Sequence, residues 1–241
     1  MIKYNTPQEL FTAICDKIRD KIGSNELINH QDIPDKIDNL VDSDIINEYN
    51  KLLSMIINQN TIIELNNNEI ENINICFREC ASLTTVDLPK CATINSHTFQ
   101  GCTSLTTVDL PECTSINRYA FWDCTHLTTA NLPKCTSIGD EAFGGCTNLT
   151  TIDLPECSSI GHAAFSGCTS LTTMILSNNQ VVTLDGYAFY NTPITNGTGY
   201  IYVPDNLVDS YKTATNWSTY ANQIKPISEL PSNLKEEYGY E

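Results

Sequence analysis

The stretch CTSLTTVDLPECTSI at residues 102–116 recurs as CTHLTTANLPKCTSI at 124–138 and as CTNLTTIDLPECSSI at 146–160, in steps of 22 residues. The same step separates Phe77, Phe99, Phe121, Phe143 and Phe165, with Phe189 following after 24. Leu83, Leu105, Leu127, Leu149 and Leu171 keep it, as do Leu88, Leu110, Leu132, Leu154 and Leu176. A period of this length means that each copy is one structural unit, unable to bury its apolar face without neighbours.

Within one copy the pattern is Leu83-x-x-Val86-x-Leu88-x-x-Cys91-x-x-Ile94, which matches the leucine-rich repeat signature with cysteine at the ninth position. Val86 and Leu88 are two apart and share one strand face, while Thr85 and Asp87 point the other way. Stacking such strands at about 4.8 Å per turn yields a parallel sheet over a continuous core. The phenylalanine, five residues after the isoleucine in Ile94 to Phe99 and Ile116 to Phe121, is expected to fill that core from the convex side. The fold class expected is α+β, a leucine-rich repeat solenoid with an N-terminal helical module and a C-terminal cap.

The LP dipeptide after each strand and the returning AFWDC (120–124), AFGGC (142–146) and AFSGC (164–168) carry a closer likeness. The chain resembles the BspA-like leucine-rich repeat proteins over residues 58–192. The resemblance implies a scaffold that binds rather than catalyses, because a solenoid family is defined by its architecture.

Nine of the 11 cysteines form one series, at 80, 91, 102, 113, 124, 135, 146, 157 and 168. Zinc ligands usually come as tight pairs, and a step of 11 does not supply them. Cysteines 11 apart lie on opposite edges of a coil. Those 22 apart come within disulfide range, but with parallel rather than converging Cβ vectors. The series therefore reads as two ladders of small buried hydrophobes whose thiols donate weakly to turn carbonyls.

Two faces could meet a partner. Outward strand positions form a row of Thr85, Thr107, Thr129 and Thr151, and beside it a row of Asp87, Asp109, Asn131 and Asp153. These read first as a solvated strand face built from β-formers; a cation, a cationic partner or sugar hydroxyls would be the alternative occupants. A further row, Lys90, Glu112, Lys134 and Glu156, alternates in sign from copy to copy and fixes register more than it adds stability. On the convex side the variable return segments hold His97, Arg118, Tyr119 and Trp122, and Arg, Tyr and Trp are residue types enriched in binding hot spots. That segment also tolerates ordinary surface residues.

The ends differ in kind. Thr6-Pro7-Gln8-Glu9 forms a helix-start box, and Leu10, Phe11, Ile14, Ile18 and Ile22 follow at helical spacing. Residues 10–40, with Ile18-Arg19-Asp20-Lys21-Ile22-Gly23-Ser24, resemble a short helical module of phage and prophage virion-associated proteins. Residues 199–230, beginning GYIYVPDNLVDSY, resemble a segment that follows BspA-like repeats in such proteins. The expected organisation is a helical attachment and capping module at 1–57, the solenoid at 58–192, a capping segment at 193–230 and a flexible, charged tail at 231–241.

The net charge of −16 argues against phosphate-backbone binding. No apolar run suits a secretory signal or a membrane span; the resemblance of the two ends to virion-associated segments implies a virion, made in the host cytoplasm, as the expected location, with a bacterial cell surface or the extracellular space as alternative. Four scattered histidines and no nucleophile elbow or phosphate loop leave no catalytic, cofactor or metal site to nominate. The expected partners are a protein or surface glycan receptor and other virion proteins through residues 1–57. Neither nucleic acid nor membrane insertion is expected, and a homo-oligomer is an open option.

Overall fold

The computed structural model describes residues 63–64, 72–73, 77–81 and 83–240. The helical module expected at 1–57 lies outside the described residues, as do Cys15 and Cys76. In chain order the strands are β1 (Ile63–Glu64), β2 (Asn72–Ile73), β3 (Thr85–Asp87), β4 (Thr93–Ile94), β5 (Thr107–Asp109), β6 (Ser115–Ile116), β7 (Thr129–Asn131), β8 (Ser137–Ile138), β9 (Thr151–Asp153), β10 (Ser159–Ile160), β11 (Thr173–Ile175), β12 (Thr183–Leu184), β13 (Tyr200–Val203) and β14 (Ile224–Pro226).

Even-numbered strands from β2 to β12 make one six-stranded parallel ladder, one strand per turn. The odd-numbered strands, with β14, make two four-stranded parallel sheets, β1-β3-β5-β7 and β9-β11-β13-β14. Register follows the repeat, with Val86 beside Val108 and Ile94 beside Ile116. Residues one period apart therefore sit in adjacent turns, and the chain is a parallel β-solenoid. The two four-stranded sheets would form one continuous row but for the gap between β7 and β9, which do not pair. The break falls where Ala130 replaces the valine, isoleucine or methionine of the other copies, and Ala130 is only partly buried whereas Val108 and Ile152 are fully so.

The expected aromatic column is present. Phe77, Phe99, Phe121, Phe143, Phe165 and Phe189 stack with centroid spacings of 5.3, 5.3, 5.2, 5.5 and 6.1 Å. Their amides knit the return segments together, each donating to the carbonyl of the residue before the next phenylalanine, as from Phe121 N to Ala142 O at 2.7 Å and from Phe143 N to Ala164 O at 2.8 Å.

Each return segment also holds two left-handed backbone positions. One is filled by Glu79, Gly101, Asp123, Gly145, Gly167 and Asn191, mostly residues that tolerate positive φ. The other is filled by His97, Tyr119, Glu141, Ala163 and Tyr187, with φ between 51° and 62° and no glycine in any copy.

The nine described cysteines are buried, and the two ladders use different acceptors. Cys102, Cys124, Cys146 and Cys168 donate Sγ–H to the carbonyls of Phe77, Phe99, Phe121 and Phe143 at 3.0–3.2 Å. Cys91, Cys113, Cys135 and Cys157 donate to the carbonyls of residues 93, 115, 137 and 159 at 3.2–3.4 Å. Burial pushes the thiols of Cys113 and Cys157 up to about 11 and that of Cys124 up to about 12, and raises Cys135 and Cys146 as well. Protonated thiols are poor nucleophiles. Iodoacetamide will therefore modify these residues only after denaturation, and a reductant will leave the melting temperature unchanged; a fall on reduction would expose a disulfide contribution.

Beyond the repeats, β13 and β14 extend the sheet, and helix α1 (Val208–Thr213) and a 3-10 turn at Trp217–Tyr220 lie over its end. Phe189 meets Trp217 at 6.1 Å and Tyr220 edge-on at 5.2 Å. The outer edge of β12 meets side chains instead of another strand. Trp217 Nε1 donates to Val182 O (2.6 Å), Val182 N donates to the Tyr211 hydroxyl (3.1 Å), and Asn216 Nδ2 donates to Leu184 O (2.6 Å).

The flexible tail expected at 231–241 is not what forms there. Ser232–Tyr238 is a second helix, α2, and Leu234, Tyr238 and Tyr240 pack on Ile175, Tyr202 and Leu230. The charge of Lys235, Glu236 and Glu237 hides an apolar face whose Leu234 and Tyr238 are four residues apart.

Candidate functional site

The outward strand face is divided. Thr85, Asp87, Thr107, Asp109 and Thr151 are half-buried in the sheet surface, while Thr129 and Asn131, beside the break in the ladder, are exposed. Asn131 Nδ2 donates to Asp109 Oδ1 at 2.7 Å, so the amide relieves the carboxylate row that would otherwise repel along its length. In the charge row beside it, Lys134 Nζ reaches both carboxylate oxygens of Glu112 at 2.7 Å. Both side chains are exposed, so the pair contributes little stability.

Asp153 is not available in the same way. The Tyr240 hydroxyl donates to its Oδ1 at 2.8 Å and also lies 3.0 Å from Ser177 Oγ. Burial lifts Asp153 to about 6 from an ordinary 3.8, against the opposing pull of the bonds from Tyr240 and the Leu154 amide. Tyr238, pushed up to about 12 chiefly by burial, and Glu237 face the same corner. A carboxyl raised on burial takes up a proton when covered, so it favours docking fully below about pH 4 and loses that contribution as pH rises through 6. Hydrogen exchange at residues 232–240, corrected for intrinsic rates, will therefore show several-fold stronger protection near about pH 5 than near about pH 7. Asp153→Asn will flatten the difference.

On the convex side all four nominated residues come together. His97 stacks on Tyr119 at 5.0 Å, Tyr119 meets Trp122 edge-on at 6.4 Å, and the Arg118 guanidinium lies 4.6 Å from the Tyr119 ring centre. The Tyr119 hydroxyl donates to Glu141 Oε1 at 2.7 Å and accepts from Arg118 at 3.1 Å. His97 Nδ1 lies 2.7 Å from Gln100 Oε1. Left-handed backbone places Tyr119 over the neighbouring turn, and Gly144 makes room for Trp122, since a Cβ there would meet the indole at 2.9 Å.

A second aromatic group lies on the same strip. Tyr187 and Tyr190 meet edge-on at 6.4 Å, and His162 packs 5.7 Å from Tyr187. These tyrosines are 69% and 61% exposed, the large hydrophobics left open among the described residues. The sequence signal for them is their alignment with Tyr119 and Trp122, which becomes visible only once the 24-residue last step is allowed for. Among the described residues no three His, Cys, Asp or Glu side chains converge as a metal site, and no helix is long and apolar enough to cross a membrane.

Comparison with known proteins bears on the repeats. The profile of the BspA type leucine rich repeat region matches residues 68–195 and 136–228, in six copies. Among solved structures, the leucine-rich repeat protein of T. pallidum is 26% identical, with 56% of this chain and 71% of that one covered and a TM-score of 0.41. A leucine-rich cell surface protein from Faecalibacterium prausnitzii is 27% identical over 61% of this chain and 40% of that one, with a TM-score of 0.38. A leucine-rich repeat protein from Bacteroides ovatus is 21% identical over 55% of this chain and 42% of that one, with a TM-score of 0.33. The chain thus spans well under half of the last two. No curated protein matches it.

Proposed function

Because the chain belongs to the BspA-type leucine-rich repeat family, we propose that it is a non-enzymatic binding and adhesion module whose contact surface is the convex strip from Arg118 to Tyr190. The observation that carries this reading is the open tyrosine pair, Tyr187 and Tyr190, on a solenoid whose other large apolar side chains are buried or partly buried among the described residues. Exposed aromatics cost solvation without contributing to the core, and Tyr, Trp and Arg supply most of the energy in contact hot spots. The non-enzymatic part draws on the buried thiols, each held by a backbone carbonyl and unsuited to attack.

The module belongs, in this reading, to a phage or prophage particle as a structural or host-contact component. Residues 1–57 provide attachment to other virion proteins, and residues 193–230 close the end of the repeats. The likeness of residues 10–40 and 199–230 to virion-associated segments supports that placement. A bacterial cell-surface or secreted adhesin would use the same strip. Mass spectrometry of purified particles and of cell walls from a strain without prophages separates the two: presence in particles fits the first, and presence only in the wall fraction overturns it. For the surface itself, Tyr187→Ala with Tyr190→Ala should lower adsorption of labelled chain to host cells at least about tenfold. Unchanged adsorption would remove the strip from consideration.

A further inference from the structure

We infer that the convex strip takes a linear, neutral, β-linked glycan lying along the solenoid axis. The inference deepens the proposed contact surface and rests on it. Tyr119 and Trp122 occupy the same two repeat positions as Tyr187 and Tyr190, three turns further on. The two pairs share one geometry, edge-on at 6.4 Å in both cases. Each tyrosine has a histidine of the preceding turn against it, His97 stacked at 5.0 Å and His162, one position earlier in its copy, edge-on at 5.7 Å.

Between the pairs the corresponding positions carry no aromatic ring. Gly144 and Ser166 stand where Trp122 and Tyr190 stand, and Glu141 and Ala163 where Tyr119 and Tyr187 stand. Tyr119 is already engaged by His97 and Arg118, so the ring offered at that end is the half-exposed Trp122. Both tyrosines are held at positive φ, where glycine would fit without strain. Their side chains, not their backbones, therefore explain their presence.

Aromatic pairs at equivalent positions, separated by a whole number of turns, suit a ligand that repeats. The turn spacing seen in the phenylalanine column, 5.2–5.5 Å over the regular copies, is close to the advance of one sugar in an extended β-linked chain. Pyranose C–H faces stack on aromatic rings, and Arg118, Asp140, Glu141 and His162 offer hydroxyl partners along the strip. A net charge of −16 opposes anionic polymers. A protein partner would need a contiguous buried centre of roughly 800 Å² per side, whereas these rings form two separated platforms.

The test is calorimetric titration of the full chain with cellohexaose and chitohexaose, with maltohexaose (α-linked) and heparin as comparators. The β-linked probes should bind. Trp122→Ala, and separately Tyr187→Ala with Tyr190→Ala, should each weaken binding by about tenfold or more while leaving the circular dichroism melt in place. Failure of both β-linked probes, preference for heparin, or binding indifferent to these substitutions overturns the inference. If the β-linked probes fail but adsorption to cells still depends on Tyr187 and resists periodate, the surface stands and its partner is a protein. If adsorption ignores the tyrosines, the surface reading itself falls.

Discussion

Phe143→Ala is expected to lower the unfolding free energy by about 3–5 kcal/mol, the largest loss available from a single side chain in the repeats. The ring is wholly buried, with neighbours 5.2 and 5.5 Å away in the column. Its removal leaves a cavity that rigid strands on both sides cannot fill, because each strand is fixed in register by the turns above and below. Coupling between turns is what holds a repeat protein together as one cooperative unit. Urea denaturation followed by circular dichroism should therefore show both a lower midpoint and a shallower transition, as the copies on either side of position 143 begin to unfold separately. A loss below about 1 kcal/mol would mean that the column is not a shared core.

Trp217→Ala should cost about 4 kcal/mol, by a different route. Trp217 closes the phenylalanine column at Phe189 and donates to the Val182 carbonyl at the edge of the last short strand. Truncation removes packing and leaves a buried acceptor unpaired, which alone costs about 1–3 kcal/mol. Trp217→Phe separates the contributions, since the ring remains while the donor is lost. The alanine variant also uncovers an edge strand, and open edges recruit other chains. Concentration-dependent aggregation in light scattering should accompany its lower midpoint, and should be weaker in the phenylalanine variant.

The columns could be read from sequence because in a solenoid a fixed sequence step is also a fixed spatial step. Phe99, Phe121 and Phe143 had to stack once the 22-residue unit wound once around the core, and the two cysteine ladders followed from the same geometry. The convex candidates His97, Arg118, Tyr119 and Trp122 were visible as residue types, but their mutual contacts depend on left-handed backbone that no hydrophobic pattern encodes. Tyr187 and Tyr190 were legible but not nominated: they flank Phe189 as Tyr119 and Trp122 flank Phe121, once the 24-residue last step is allowed for. Helix α2 was hidden by its charges, and the covering of Asp153 by Tyr240 joins residues 87 positions apart, beyond the reach of any local pattern. The interruption at Ala130 had one trace, a single-carbon side chain in a row otherwise made of Val, Ile and Met.

That interruption has a mechanical consequence. In the proposed role, a molecule tethered at one end and gripping a surface along its length carries load from turn to turn. Across most junctions three rows of main-chain bonds share the load; between β7 and β9 the outer row is missing. Flexure concentrates there, with the sheet side opening first. On the opposite side the bonds from Asp123 N to Gly144 O and from Glu141 N to His162 O, 2.7 and 2.9 Å long, act as the backing of a hinge. The rings on that backing keep their separation while the sheet side flexes.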